Sequence, residues 1–205
     1  RTVLARDRRT GATETLAWDA LVYATGAEAI RPPWPGIDLD GVFALRDLVD
    51  GKAIKDFAAR HAPRRAAVIG GGYIGLEMAH VLTEMGLAVT VIEKLPSILA
   101  GWEPEAVEPV RKALVDGGVT LLEGVTVRGF AGADGRVATV ATDGPEVAAD
   151  LVVVAIGVRP ATALAARSGI ALGYKGAVAV DRELRTNVPG IWAAGDCAEQ
   201  WHRVL

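Results

Sequence analysis

Apolar residues along this chain fall into short runs of strand length, broken by Gly, Pro and Asp turns, with four stretches of helical spacing between them. Thr2–Asp7 and Thr13–Trp18 flank Arg8-Arg9-Thr10-Gly11-Ala12, a hairpin signal. Ala20–Ala24 is a further strand, and Thr25-Gly26 turns the chain after it. Arg31-Pro32-Pro33-Trp34-Pro35-Gly36 excludes helix and reads as a stiff linker and a domain boundary. Leu48, Ile54 and Phe57 space a helix over Leu45–His61, stopped by Pro63. A buried strand at 66–69 then leads into Gly70-Gly71-Gly72, a helix over Tyr73–Glu84 ended by Gly86, and a second strand, Val89–Glu93.

Pro104 suits the first turn of a helix reaching Val115 and ended by Gly117-Gly118. Pro109 inside it should kink the first turns or move the start later. Val119–Glu123 is a third parallel strand. Val125–Phe130, Arg136–Thr142 and a short Glu146–Ala148 form a β-meander with turns at Gly132–Gly135 and Asp143-Gly144, where a simpler fold would place another helix. Leu151–Ile156 returns as a buried strand, and Gly157-Val158-Arg159-Pro160 is a second glycine turn and a second boundary. A short helix over Ala161–Ser168 and strands at Val178–Val180 and Ile191–Ala194 follow, the last closed by Gly195-Asp196. The fold class is α/β, a Rossmann-like parallel sheet with a β-meander.

The chemistry concentrates in Ala67-Val68-Ile69-Gly70-Gly71-Gly72-Tyr73-Ile74-Gly75-Leu76-Glu77. Gly70, Gly72 and Gly75 match G-x-G-x-x-G: a tight turn, close approach of a pyrophosphate to the backbone, and close packing of the helix on the sheet. The helix from Tyr73 then aims free N–H groups and its dipole at the phosphates. Glu93 ends the next strand and can accept from both hydroxyls of the adenosine ribose. A 2′-phosphate would meet like charge there, so NADH is expected over NADPH. Lys94 weighs the other way, because a basic neighbour could meet a phosphate. A glycine-rich turn that merely packs a strand on a helix is the plainer alternative, but strand, helix and terminal acid agree.

Composition adds limits. The chain has 205 residues, net charge −3, 51% hydrophobic and 5% aromatic residues. The charge argues against a general nucleic-acid surface, and no apolar run reaches the ~18 residues of a membrane span. A single cysteine, Cys197, excludes an internal disulfide, a CxxC pair and a structural zinc site. His61, His80 and His202 have no ligand-like spacing, so no metal is expected. The composition suits a cytoplasmic protein.

Three further motifs stand around the fingerprint: Val22-Tyr23-Ala24-Thr25-Gly26, Ala155-Ile156-Gly157-Val158-Arg159-Pro160, and Thr186-Asn187-Val188-Pro189-Gly190-Ile191-Trp192-Ala193-Ala194-Gly195-Asp196. With it they resemble the FAD- and NAD-binding pyridine nucleotide–disulfide oxidoreductases over nearly the whole chain. Gly195-Asp196-Cys197-Ala198-Glu199 leading to Trp201-His202-Arg203-Val204-Leu205 is most similar to the coenzyme A-disulfide reductase and NADH oxidase branch. The resemblance implies an NAD domain, 34–156, inserted between two segments of an incomplete FAD domain, 1–33 and 157–205. It implies that an FAD fingerprint and a redox cysteine precede Arg1 and a dimerisation domain follows Leu205, so that the chain is the middle of a longer, homodimeric enzyme. That enzyme would be an FAD-dependent NAD(P)H oxidoreductase passing hydride from NADH to FAD and on to a small-molecule disulfide or oxygen. A reductase of a rubredoxin or ferredoxin shares every motif present here, and the chain by itself could be a nucleotide-binding module without turnover.

Individual residues take roles from the same resemblance. Ala24, Thr25, Gly26, Gly195 and Asp196 are implied to line FAD, and Ala198 to donate its backbone N–H to the flavin ring. Turn formation is the alternative for Ala24–Gly26 and for Asp196. Tyr73 is implied to cover the flavin until nicotinamide displaces it, or else is a packed interface tyrosine. Glu77, at i+4 on the same helix face, is implied to bond near the nicotinamide or the flavin edge, or else complements the helix dipole. Gly157 would admit the nicotinamide ribose or simply end a strand. Trp102 either stacks on adenine or anchors a loop. Cys197 reads as small filler rather than a nucleophile.

Overall fold

The computed structural model describes residues 1–200; the expected tail Trp201–Leu205, His202 included, lies outside the described residues. The chain begins with an antiparallel hairpin, β1 (Thr2–Arg6) and β2 (Thr13–Ala17), with Thr2 opposite Ala17 and Arg6 opposite Thr13. Asp7 makes the turn by accepting from Arg9 N and Thr10 N. Next come β3 (Leu21–Tyr23), β4 (Ala27–Ala29), β5 (Val42–Ala44) and α1 (Leu48–His61). The helix starts later than the apolar spacing predicts because Asp47 caps it. Its carboxylate accepts from Val49 N and Asp50 N, and Asp50 reaches back to Asp47 N. The residues just upstream are drawn off into β5, which the sequence reading missed.

β6 (Arg65–Ile69), α2 (Tyr73–Glu84) and β7 (Ala88–Glu93) follow as expected, then α3 (Pro104–Asp116) and β8 (Thr120–Glu123). Pro109 does not move the start of α3. The bond that it forfeits would have gone to the Glu105 carbonyl, in the first turn, which is exposed to solvent. The meander is β9 (Val127–Ala133), β10 (Arg136–Thr142) and β11 (Val147–Ala148). Its first turn is only Asp134-Gly135, both at positive φ, so Gly132 belongs to the strand. β12 (Leu151–Val154) returns to the parallel sheet, and β13 (Val158–Pro160) pairs with β4, so the expected glycine turn at 157–160 is mostly strand. The chain ends with α4 (Ala163–Arg167) and β14 (Ile191–Ala193). Val178–Val180 is not a strand; Val178 makes only isolated bridges to Leu172 and Ala198.

The unit from Ala29 to Val158 is built on a five-stranded parallel sheet in the order β5-β12-β6-β7-β8. Its strands are apolar on both sides, and both sides are covered. Ala66, Val68, Leu151 and Val153 face the helices with Ile54, Phe57, Leu82 and Leu114; Ala67, Ile69, Val152 and Val154 face the meander with Phe130 and Val140. This unit begins earlier than the expected boundary at 34. The proline segment is no free linker, since Trp34 packs edge-on against Phe130 and Pro35 O accepts from Phe130 N. At the other end Ile30 N donates to Gly157 O, which ties residues beyond 156 into the same unit.

The second unit comprises Arg1–Glu28 and the chain from Arg159 onward. β14 runs parallel to β3, with Ala193 opposite Tyr23, and the core gathers Tyr23, Ala165, Ile170, Val178, Ile191 and the fully buried Cys197. The Cys197 thiol donates to Tyr23 O and Ala194 O, which suits filler and leaves it no access to a substrate.

Asp150 sets the register of β12 on β6. Its carboxylate accepts from Arg64 N, Arg65 N and the Arg65 guanidinium just before the Leu151–Ala66 pair. The Arg65 side chain, then the backbone N–H groups of Arg64 and Arg65, hold the carboxyl below its ordinary range against the opposing effect of burial. Arg65 is half exposed, so the ion pair is screened and the backbone bonds matter most. Asp150→Ala is expected to cost about 1–3 kcal/mol. Because the folded pKa is lowered, that contribution is complete above the unfolded value near ~3.9 and disappears as pH falls through the folded one. Urea unfolding should therefore show a constant gap between wild type and variant from about pH 8 to 5, closing below about pH 4; a gap that persists in acid would refute the assignment.

Candidate dinucleotide groove

Gly70 leaves β6 at φ 108, with its N–H on Ile92 O. A Cβ there would stand 2.5 Å from Ala155 O, so the turn sits where β6 and β12 part. These strands neighbour each other while the chain runs from β6 to β7 on the other side, which makes this the switch point of the sheet, the usual place for a ligand crevice. A Cβ on Gly75 would lie 2.0 Å from Gly70 O, so α2 can begin this close to the strand only with glycine there. Gly71 is equally confined, with Ile98 Cγ2 at 2.7 Å and Glu93 Cβ at 3.2 Å from its hypothetical Cβ. Gly71 was not singled out from the sequence, because the fingerprint leaves that position open. Gly72 is the exception. A Cβ on it meets nothing within 4 Å.

Gly72 opens onto a groove of about 680 Å³. The structure brings Gly70, Gly72, Tyr73, Ile74, Glu93, Lys94, Trp102 and Gly157 together around it, and adds Trp34, Leu99 and Val125–Val127 as an apolar wall. Tyr73 stands 74% exposed at the first position of α2. No acid lies in the first turn of α2, so its N-terminal dipole is left for an external anion. This corrects the bland reading of Glu77, which sits in the second turn. Nor does Glu77 line the groove. It borders a separate cleft of about 420 Å³ with Leu76, His80, Thr83 and the α3 residues Pro109, Val110 and Ala113.

Glu93 is held rigidly. Its Oε2 accepts from Gly71 N at 2.6 Å and its Oε1 from Leu95 N at 2.7 Å. Each carboxylate oxygen keeps a second lone pair. The loop after β7 is folded back onto the turn: Leu99 N donates to Gly71 O, and Trp102 N to Leu99 O. Leu99 itself lies at φ 49. Behind the loop, Arg111 of α3 meets Glu123 at the end of β8, and that hydrogen bond, foremost, raises the guanidinium pKa.

In the other unit, β3 and β14 run side by side, so Ala24-Thr25-Gly26 and Gly195-Asp196 emerge together from neighbouring carboxyl ends. Ala194 N bonds Tyr23 O. Gly195 is at φ 78, and a Cβ there would meet nothing within 4 Å. Ala24, Thr25 and Asp196 are exposed, and the Thr25 hydroxyl donates to Ala161 O. Ala198 is buried, and its N–H donates to Gly195 O inside a short 3₁₀ turn. Among the described residues no His, Cys, Asp and Glu side chains gather as a metal site, and no helix is long and apolar enough to cross a membrane.

The chain matches the family model described as pyridine nucleotide-disulphide oxidoreductase over residues 1–204. It is 40% identical over 183 residues to an NADH oxidase of Methanocaldococcus jannaschii, covering 89% of this chain and 40% of that protein. With an NAD(P)H sulfur oxidoreductase (CoA-dependent) of Pyrococcus abyssi it shares 35% over 198 residues, 96% of this chain and 44% of that protein. The structure is similar, with a TM-score of 0.88, to that of a water-forming NADH oxidase from Lactobacillus brevis bound to NADH, at 32% identity over 96% of this chain and 43% of that one. The chain thus spans 40–44% of the length of these proteins. The α/β architecture, the fingerprint turn and a family match over almost every residue agree, and the chain belongs to the pyridine nucleotide-disulphide oxidoreductase family.

Proposed function

We propose that the groove of the Ala29–Val158 unit binds NADH, and that the protein of which this chain forms part is a flavoenzyme passing reducing equivalents from NADH through FAD to oxygen or a sulfur compound. The observation that carries this reading is the contrast within the glycine turn. Gly70, Gly71 and Gly75 are closed in by their neighbours, whereas Gly72 faces open space at the dipole end of α2. A turn serving packing alone has no use for a glycine at the open position; a pyrophosphate lying on the backbone does.

The remaining residues divide the ligand between them. The second lone pairs of Glu93 accept from the adenosine ribose, and Trp102 and Trp34 offer flat faces for the adenine. Tyr73, exposed at the first position of α2, offers its ring to the nicotinamide, and Gly157 admits the nicotinamide ribose. Ala24, Thr25, Gly26, Gly195 and Asp196 hold FAD, whose bound ring supplies the hydride and electron chemistry. The oxygen or sulfur acceptor rests on the names of the relatives, an NADH oxidase and a sulfur oxidoreductase.

Two outcomes are expected of this reading. Gly72→Ala should leave the thermal midpoint within a few degrees of wild type yet weaken NADH binding by about tenfold or more, while Gly75→Ala should lower the midpoint markedly because its Cβ meets the Gly70 carbonyl. Calorimetric titration with melting curves separates the two, and full NADH affinity in Gly72→Ala contradicts the site. NADH should bind more tightly than NADPH by about tenfold, the equivalent of one charged hydrogen bond. Equal dissociation constants would overturn the assignment of Glu93 as the selecting charge.

A further inference from the structure

Glu93 and Glu123 stand opposite each other at the ends of the adjacent strands β7 and β8. Each fastens the intervening loop by a different point. Glu93 takes Gly71 N and Leu95 N, whereas Glu123 Oε1 accepts from Ile98 N at 2.7 Å. Glu123 Oε2 is met by Arg111 Nη1, and Arg111 Nη2 donates to Ser97 Oγ at 3.1 Å. Arg111 also touches Glu108, a residue exposed on α3. The Arg111 and Glu123 side chains are only 25% and 21% exposed, so water competes little with their contact. Ile98, whose N–H Glu123 holds, is fully buried, and its Cγ2 is the atom lying beneath Gly71. One residue later, Leu99 N grips Gly71 O. A continuous path of bonds therefore runs from α3 to the glycine turn, reaching it at Gly71 O, whereas Glu93 holds Gly71 N.

We propose that Arg111 and Glu123 are positioning residues for the adenosine half of the dinucleotide, acting through Ser97 and Ile98 to seat the 94–102 loop and the Gly71 peptide between the pyrophosphate turn and Glu93. This rests on the groove's being the NADH site. Neither side chain lines the groove, so neither touches the ligand. Their effect is confined to what the loop carries, namely Leu95, Leu99 and Trp102, and to the orientation of the Gly71–Gly72 peptide, whose carbonyl accepts from Leu99 N. Among the described residues, no hydrogen bond joins Tyr73 or Gly157, at the nicotinamide end, to this path.

The test uses the full-length flavoprotein with two probes, each half of the ligand. ADP-ribose reports the adenosine end by calorimetry, and reduced nicotinamide mononucleotide reports the other end as electron donor. In Arg111→Met the dissociation constant of ADP-ribose and the KM for NADH should both rise by about tenfold, as for loss of one charge-assisted bond. The kcat and the KM for reduced nicotinamide mononucleotide should stay at wild-type values. Arg111→Lys, which keeps the charge but cannot fork to Glu123 and Ser97 together, should fall between. Should Arg111→Met fail to fold, Glu123→Gln carries the same expectation at a smaller size. An unchanged ADP-ribose constant, or an equal loss with both probes, overturns the proposal. Failure of ADP-ribose to bind the wild-type protein would overturn the dinucleotide reading beneath it as well.

Discussion

The approach of α2 to β6 is the constraint on which the groove depends. The contact between Gly75 and the Gly70 carbonyl leaves no room for a single carbon atom. With it in place α2 begins at the crevice that Tyr73, Ile74 and Ala155 line. Without it the helix would start farther from the sheet, and the open face at Gly72 would no longer adjoin Glu93. Dispersion and burial hold the layers together, but these contacts decide where the helix begins.

The two-sided sheet supplies the rigidity that such closeness requires. β6 and β12 lie in the middle of the five strands, with helices on one side and the meander on the other. Apart from Arg65 at the start of β6, their residues are almost wholly removed from water, so neither strand can shift without opening a void. The meander does more than cover: it brings Val125–Val127 to the groove and receives Trp34, so one apolar wall comes from residues distant in sequence. The site has one wall of turn and helix, fixed locally, and one wall assembled by the fold.

That division explains what could be read from the amino acids alone. Local features were legible: α2 begins and ends where glycines and spacing place it, and the five motif residues Gly70, Gly72, Tyr73, Ile74 and Glu93 converge on one groove. Features set by tertiary partners were not. β5 is three residues long and becomes a strand only because β12 lies beside it. The proline segment looks like a linker until Phe130 is found against Trp34. Gly71 carries no signal in the fingerprint, since its confinement comes from Ile98, twenty-seven residues on (98 − 71). The surroundings of Ala198 and Glu77 were not legible for a related reason: a motif specifies residue types, whereas the direction of an N–H or the cleft a helix face borders depends on neighbours such as the Gly195 carbonyl and α3.

Glu93 joins the local and the assembled parts of the site, and this has a consequence for specificity. The carboxylate proposed to select against a 2′-phosphate also accepts from Gly71 N and Leu95 N, and so helps to close the turn proposed to hold the pyrophosphate. Replacing it with a neutral residue removes the like charge facing a phosphate, but it also leaves a part-buried peptide N–H without a partner, at a cost of about 1–3 kcal/mol. Lys94 and Leu95 extend from the same loop and carry no such bond to the turn through their side chains, so changes there can alter charge at the groove without loosening it. A switch of preference from NADH to NADPH is therefore better sought beside Glu93 than at Glu93: the selecting charge and the scaffold are the same atoms, and the scaffold is the part that cannot be given up.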